Sequence, residues 1–305
     1  MLIRVFNLIR PVILLCAGLF SSHLGFSQDL KIADSLLIKL NNESEIPDSI
    51  MYQWLLDISF NHSDIKIKLK YANQLQTLAR QNGNNLWLYK GLYIEGVAQR
   101  LLGDLPSAIN TFFECAKLAE VLGGKKRLGE VYDKLGNVYS VQGDHSNSVK
   151  YYNKAIVILR EESDSLSLAA ALMNAGDEYF NADKLDSALL LFAESGIIFK
   201  NVNYQIGNAY NLGNIGLVYA KQDKHNLAEA NLFEASKILE ESGDKYPVAV
   251  YDTYMADIYL QKGDLKRALY YATKSYDVSI ELGLKEQIRD ASLKLSELYQ
   301  QNEDF

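Results

Sequence analysis

The run LGNVYSVQGDHSNSVKYYNKAI, Leu135 to Ile156, decides the fold. Apolar residues recur at helical spacing on both sides of Gly143-Asp144, so two helices meet at a tight turn. Glycine ends a helix by accepting a left-handed backbone, and the aspartate after it caps the next helix. Gly136 and Ser148 are small, which lets the two helices approach closely. Tyr152 supplies the bulk that fills the volume they leave.

Working outward, the same pattern returns. Cut every 40 residues from Ser49, Tyr89, Gly129, Ala169, Ala209, Ala249 and Arg289, the chain gives seven segments that align without a gap. Position 8 of each segment reads Leu56, Gly96, Gly136, Gly176, Gly216, Ala256 and Ser296. Position 20 reads Lys68, Ala108, Ser148, Ala188, Ala228 and Ala268. Position 11 is tyrosine from Tyr139 through Tyr179, Tyr219 and Tyr259 to Tyr299, and position 24 is large in Phe112, Tyr152, Phe192 and Leu232. The turn motif recurs as Gly103-Asp104 and Gly263-Asp264. Positions 4, 7, 8 and 11 share one face of a first helix. A single hairpin cannot bury its own apolar face, so the fold class expected is all-α, a right-handed solenoid of stacked antiparallel helix pairs.

This set of residues resembles the tetratricopeptide repeat, whose hairpins carry small residues at positions 8 and 20, tyrosine at 11 and an aromatic at 24. The usual period of that family is about 34 residues, so this is a long-period variant. The extra residues are expected at the end of the second helix and the loop beyond, as in GLKEQIRD from Gly283. Residues 49–288 read as six repeats and 289–305 as the first helix of a truncated seventh. Residues 28–48 hold an amphipathic capping helix, Asp29 to Leu40. The first repeat departs most, with Lys68 in a small-residue position and Ser59 in place of tyrosine.

Residues 1–27 read as an address. Arg4 and Arg10 are followed by the apolar run Val12 to Phe20 and then by Gly25-Phe26-Ser27. Basic, apolar, then small is the plan of a secretory signal peptide, with cleavage expected after Ser27. An uncleaved anchor is the alternative, but a span needs about 20 apolar residues and Arg10, Ser21, Ser22 and His23 interrupt one. Cys16, preceded by Leu15, leaves a lipoprotein as a third option. Cleavage removes two arginines and no acid, taking the formal charge from −7 to −9. It leaves Cys115 alone, hence no internal disulfide.

Composition narrows the function further. The chain is 48% hydrophobic and 23% charged with only four prolines, which suits a large helical core. An acidic balance disfavours nucleic acid, whose binding rests on neutralising phosphates. His62, His145 and His225 fall in the turns between paired helices, and no His/Cys/Asp group has zinc spacing. Cys115 occupies a position that is Ala155 and Ala235 elsewhere, so it reads as a small buried residue. Gly123-Gly124-Lys125 lacks the remainder of a phosphate loop. No catalytic residue, metal or cofactor is expected.

The resemblance implies a groove lined by the first helices at positions 2, 5, 9, 12 and 13. The candidates it places there are Asp57, Tyr93, Asn137, Met173, Asp177, Tyr210, Asp257 and Glu297. This set leans acidic, so the expected ligand is a neutral or basic peptide or protein. The alternative is that the carboxylates only keep a solvated face soluble. The chain further resembles the extracytoplasmic repeat region of bacterial sensor proteins, which implies a non-enzymatic, periplasmic interaction scaffold. A free-standing periplasmic adaptor and an accessory lobe of an enzyme are the other readings.

Overall fold

The structure is a computed structural model that describes residues 30–43, 45–162 and 164–301. The leader expected at 1–27 and the last residue, Phe305, lie outside the described residues. Among the described residues there are fourteen helices and no strand. They are α1 (Leu30–Asn42), α2 (Asp48–Asn61), α3 (Ile65–Gln81), α4 (Asn85–Leu101), α5 (Leu105–Val121), α6 (Lys125–Gln142) and α7 (His145–Glu161). Then follow α8 (Ser165–Asn181), α9 (Leu185–Asn201), α10 (Gln205–Lys221), α11 (His225–Glu241), α12 (Lys245–Gln261), α13 (Leu265–Leu282) and α14 (Lys285–Gln301).

From α3 onward a helix begins every 20 residues, so each 40-residue unit is a pair of nearly equal helices. The turns obey the same beat. Gly83, Gly103, Gly123 and Gly143 stand in the left-handed region, as do Gly243, Gly263 and Gly283. Asp183, Asn203 and Asp223 take that conformation at the intervening turns, with φ of 54–58°. Asp and Asn tolerate it better than other side chains because they bond locally to the backbone. One residue later the caps recur: Asp64, Asn84, Asp104, Asp144 and Asp264 accept from a backbone N–H in the first turn of the helix they precede.

One expectation is corrected here. Lys285 to Asp290 of GLKEQIRD form the opening turns of α14, after Gly283 has closed α13. The extra length of this variant therefore lies at the front of the first helices from α4 onward, each of which begins four residues before its segment. It does not enlarge a loop.

The close approach of the paired helices has a specific cause. A Cβ added at Gly96 would sit 2.8 Å from the ring of Phe112, at Gly136 2.5 Å from the ring of Tyr152, and at Gly216 2.7 Å from Leu232. All three large partners are fully buried, as are Ala108, Ser148, Ala188, Ala228 and Ala268. Cys115 is buried too, its thiol donating to the Tyr89 carbonyl at 3.6 Å. Tyr139 stacks on Tyr151 and Tyr259 on Tyr271, so packing accounts for tyrosine at position 11. In the first repeat Lys68 is half-buried, which lowers its pKa by desolvation, and its ammonium donates to the Phe60 carbonyl.

The described chain divides into two compact units, residues 30–178 and 179–301. In the first, α2 packs on α4 and α4 on α6, in addition to the pairing of neighbours along the chain. In the second, α10 packs on α12 and α12 on α14. First helices thus touch second helices and each other. Burial is most complete in α8, where every residue from Leu168 to Glu178 is buried, and least in α14. No helix among the described residues is long and apolar enough to cross a membrane.

Candidate functional site

All-round burial changes the meaning of the polar residues on the first helices. Asp133, Lys134 and Asn137 on α6 and Asn174, Asp177 and Glu178 on α8 are all buried. Lys134 Nζ lies 2.9 Å from Asp133 Oδ2, and Asn174 Nδ2 donates to Asp133 Oδ1 at 2.9 Å. One helical turn along α6, Asn137 Oδ1 accepts from the Tyr152 hydroxyl at 2.7 Å. Two amide atoms in this cluster remain buried without a hydrogen-bond partner: the donor Asn137 Nδ2 and the acceptor Asn174 Oδ1. Leaving a buried polar atom unpaired costs about 1–3 kcal/mol, so such atoms are rare and informative.

The electrostatics follow from the same burial. Desolvation, reinforced by the neighbouring Glu178, holds the Asp177 carboxyl well above the usual carboxylate range. Arg100 on α4 is also buried, and desolvation lowers its pKa against the opposing pull of Tyr152, Asp133 and Tyr93.

A second polar node fixes α8 to the α6–α7 hairpin. The Ser140 hydroxyl donates to Glu178 Oε2 at 2.6 Å and the Ser148 hydroxyl to the same oxygen at 3.1 Å. His145 Nδ1 meets the other carboxylate oxygen. Glu178→Ala strands the buried Ser140 hydroxyl, while Ser148 keeps the Gly136 carbonyl at 3.1 Å as its acceptor, and the expected loss is about 2 kcal/mol in urea-induced unfolding. A loss below about 0.5 kcal/mol would show that the node is not structural.

The sequence candidates divide between the two units. In the first, Asn137 and Asp177 lie in the cluster, both next to Tyr152. Met173 is buried on α8, and Tyr93 packs edge-on against Phe112 at 6.2 Å. Asp57 accepts from Gln53 at 2.8 Å and is half-buried. In the second, Asp257 and Glu297 converge on one lysine, Lys294, each at 2.5 Å, and Tyr210 donates to Asp244. The alternative of carboxylates that only keep a face solvated does not describe Asp177, which is 4% exposed, and burial also raises the pKa of Asp57 and Asp257, whereas Glu297 is exposed. The histidines are corrected too: only His145 is exposed, while His62 and His225 are half-buried.

Asp133, Lys134, Asn174, Glu178 and Arg100 were not among the sequence candidates. Position 6 carried a readable signal, since it holds Lys134, Asn174, Asn214 and Lys294, polar where the neighbouring positions 4 and 7 are mostly apolar. Among the described residues no group of His, Cys, Asp and Glu could hold a metal ion.

Residues 129–158, which take in most of α6 and most of α7, match the family model described as tetratricopeptide repeat. Tetratricopeptide repeat protein 29 of Homo sapiens is 23% identical over 128 residues, and that of Macaca fascicularis likewise. The match takes in 42% of this chain and 27% of theirs, so the chain spans about a quarter of the length of these curated relatives. Among solved structures, a Rap protein complexed with Competence and Sporulation Factor superposes with a TM-score of 0.65 at 14% identity, covering 95% of this chain and 86% of that one. NprR in complex with its cognate peptide NprX gives 0.62 at 15%, covering 93% and 82%. These likenesses extend the tetratricopeptide-type fold to nearly the whole chain.

Proposed function

We propose that the chain is a non-enzymatic scaffold that holds an extended peptide or protein segment along the inner faces of its first helices. The observation that carries this reading is the unpaired donor of Asn137 and the unpaired acceptor of Asn174. An extended backbone offers a carbonyl and an N–H in alternation, which is the complement of that pair. Both atoms lie below the surface, so a peptide reaches them by parting α6 from α8. The complexes of the Rap protein and NprR named above support a peptide as ligand on this fold. In the same unit, the half-buried carboxylate of Asp57 favours a neutral or basic one. Selection from a displayed random peptide library tests this. Binders enriched in Lys and Arg that lose about tenfold in affinity to Asn137→Ala plus Asn174→Ala are expected. Binders indifferent to that double substitution would overturn the reading.

The proposed setting is extracytoplasmic, as the sensory or interaction region of a signalling protein. It rests on the basic, apolar and small-residue succession of residues 1–27. N-terminal sequencing of the protein expressed in a secreting bacterial host is expected to begin at Gln28. A chain beginning at Met1 would remove the secretory reading and leave the peptide-binding one untouched.

A further inference from the structure

Repeats separated by 120 residues can be compared within this one molecule. In the first unit, Tyr139 stacks on Tyr151 with ring centroids 5.4 Å apart and planes at 7°. In the second, Tyr259 stacks on Tyr271 at 5.4 Å and 8°. Phe113, Glu120 and Lys154 correspond likewise to Phe233, Glu240 and Lys274. The frames match; one occupant differs.

In the first unit the space between the second helices α5 and α7 is filled by Tyr132 at position 4 of α6. Its ring lies 5.7 Å from that of Tyr151, and Lys154 Nζ stands 5.1 Å from its centroid. The corresponding residue of α12 is Asp252. Where the phenol ring stands in one unit, the other has a cleft of about 210 Å³ between α11 and α13. Its walls include Phe233, Tyr270, Tyr271 and Met255, and Asp252 lies at its floor. Asp252 is 1% exposed. Lys274 Nζ pairs with it, 3.1 Å from Oδ2, and reaches Glu240 at 2.6 Å. Asp252 Oδ2 is buried with the Lys274 ammonium beside it and no hydroxyl or amide donor. Phe233 and Tyr270 are largely exposed and form the rim.

We propose that this cleft binds a phenolic ring, donated by a tyrosine side chain of a partner or by a free phenol, in the space that Tyr132 fills in the first unit. The ring lies against Tyr271 as Tyr132 lies against Tyr151, and Lys274 covers its face as Lys154 covers that of Tyr132. The ligand hydroxyl donates to Asp252 Oδ2, adding a hydroxyl donor to an oxygen that otherwise faces the Lys274 ammonium.

The test is titration of the full chain with p-cresol, toluene and ethylguanidinium, followed by NMR of the aromatic resonances of Phe233, Tyr270 and Tyr271. Saturable shifts with p-cresol, about tenfold tighter than with toluene, are expected, since one hydrogen bond to a carboxylate distinguishes the two. Asp252→Tyr, which copies the filled unit, should abolish the shifts and keep the helical circular dichroism. Asp252→Asn should reduce the preference of p-cresol over toluene without closing the cleft. A blocked Gly-Tyr-Gly peptide separates the sources: binding as tight as p-cresol assigns the site to a tyrosine side chain, and exclusion assigns it to a free phenol. No shift with p-cresol, toluene binding equally well, or ethylguanidinium binding more tightly would each overturn the proposal.

Discussion

Gly136→Leu is expected to cost at least ~3 kcal/mol of unfolding free energy, or to prevent folding outright. An ideal Cβ at Gly136 already lies 2.5 Å from two carbons of the Tyr152 ring, and leucine adds three more carbons. Tyr152 cannot retreat: it is fully buried and its hydroxyl is held by Asn137. The gain in helix propensity on replacing glycine, about 1 kcal/mol, is too small to offset this. Tyr152→Ala alone should cost about 3–5 kcal/mol by opening a cavity. Combined, the two substitutions should cost at least ~1 kcal/mol less than their sum, because the leucine enters the space the ring leaves. Urea unfolding of the four proteins decides it. Strict additivity would mean that positions 8 and 24 do not set the distance between paired helices.

The second large effect concerns pH. Burial pushes the Asp252 carboxyl up from 3.8 to about 6, against the opposing influence of Lys274. The folded state therefore holds that proton more tightly than the unfolded chain does. The associated stability is present in full below pH 4 and is lost as pH rises towards 6 and beyond. About two pKa units correspond to ~3 kcal/mol. Asp252→Asn has no proton to lose. Relative to the parent it should be nearly neutral at pH 3.5 and more stable by up to ~3 kcal/mol at pH 7.5. Lys274 keeps its contact with Glu240 in that variant, so it is not stranded. The difference between the two stability curves isolates this carboxyl from every other group that titrates. A difference independent of pH, or one of the opposite sign, would contradict the burial argument.

The hairpin architecture was legible because small residues at positions 8 and 20 and large ones at 24 are a packing instruction that sequence records directly. Gly136, Ser148 and Tyr152 do in space what their sizes imply. Three features escaped for physical reasons. Asp183, Asn203 and Asp223 adopt the left-handed turn that glycine marks elsewhere, and Asp and Asn, which tolerate it, also serve as helix caps, so their identity alone does not single out the turn. Lys285 to Asp290 look like a polar loop but open a helix, because propensity alone says little about where helix α14 starts. Asp177 looked like a solvated groove residue. Helical periodicity identifies a polar face but not whether it is covered, and Asp177 is 4% exposed. The same limit hid the exchange of tyrosine for aspartate at residue 252, which is visible only once position 4 is known to be a core position.

The account turns on an inner face of first helices whose unpaired amides await a peptide backbone. The most direct test follows the side-chain amide resonances of Asn137 and Asn174 as a peptide selected on this chain is added to saturation. The prediction is that both amide groups shift, with the Asn137 Nδ2 protons moving downfield as they acquire an acceptor. Shifts confined to the second helices, with both asparagines unmoved at saturation, would place the ligand elsewhere and contradict the account.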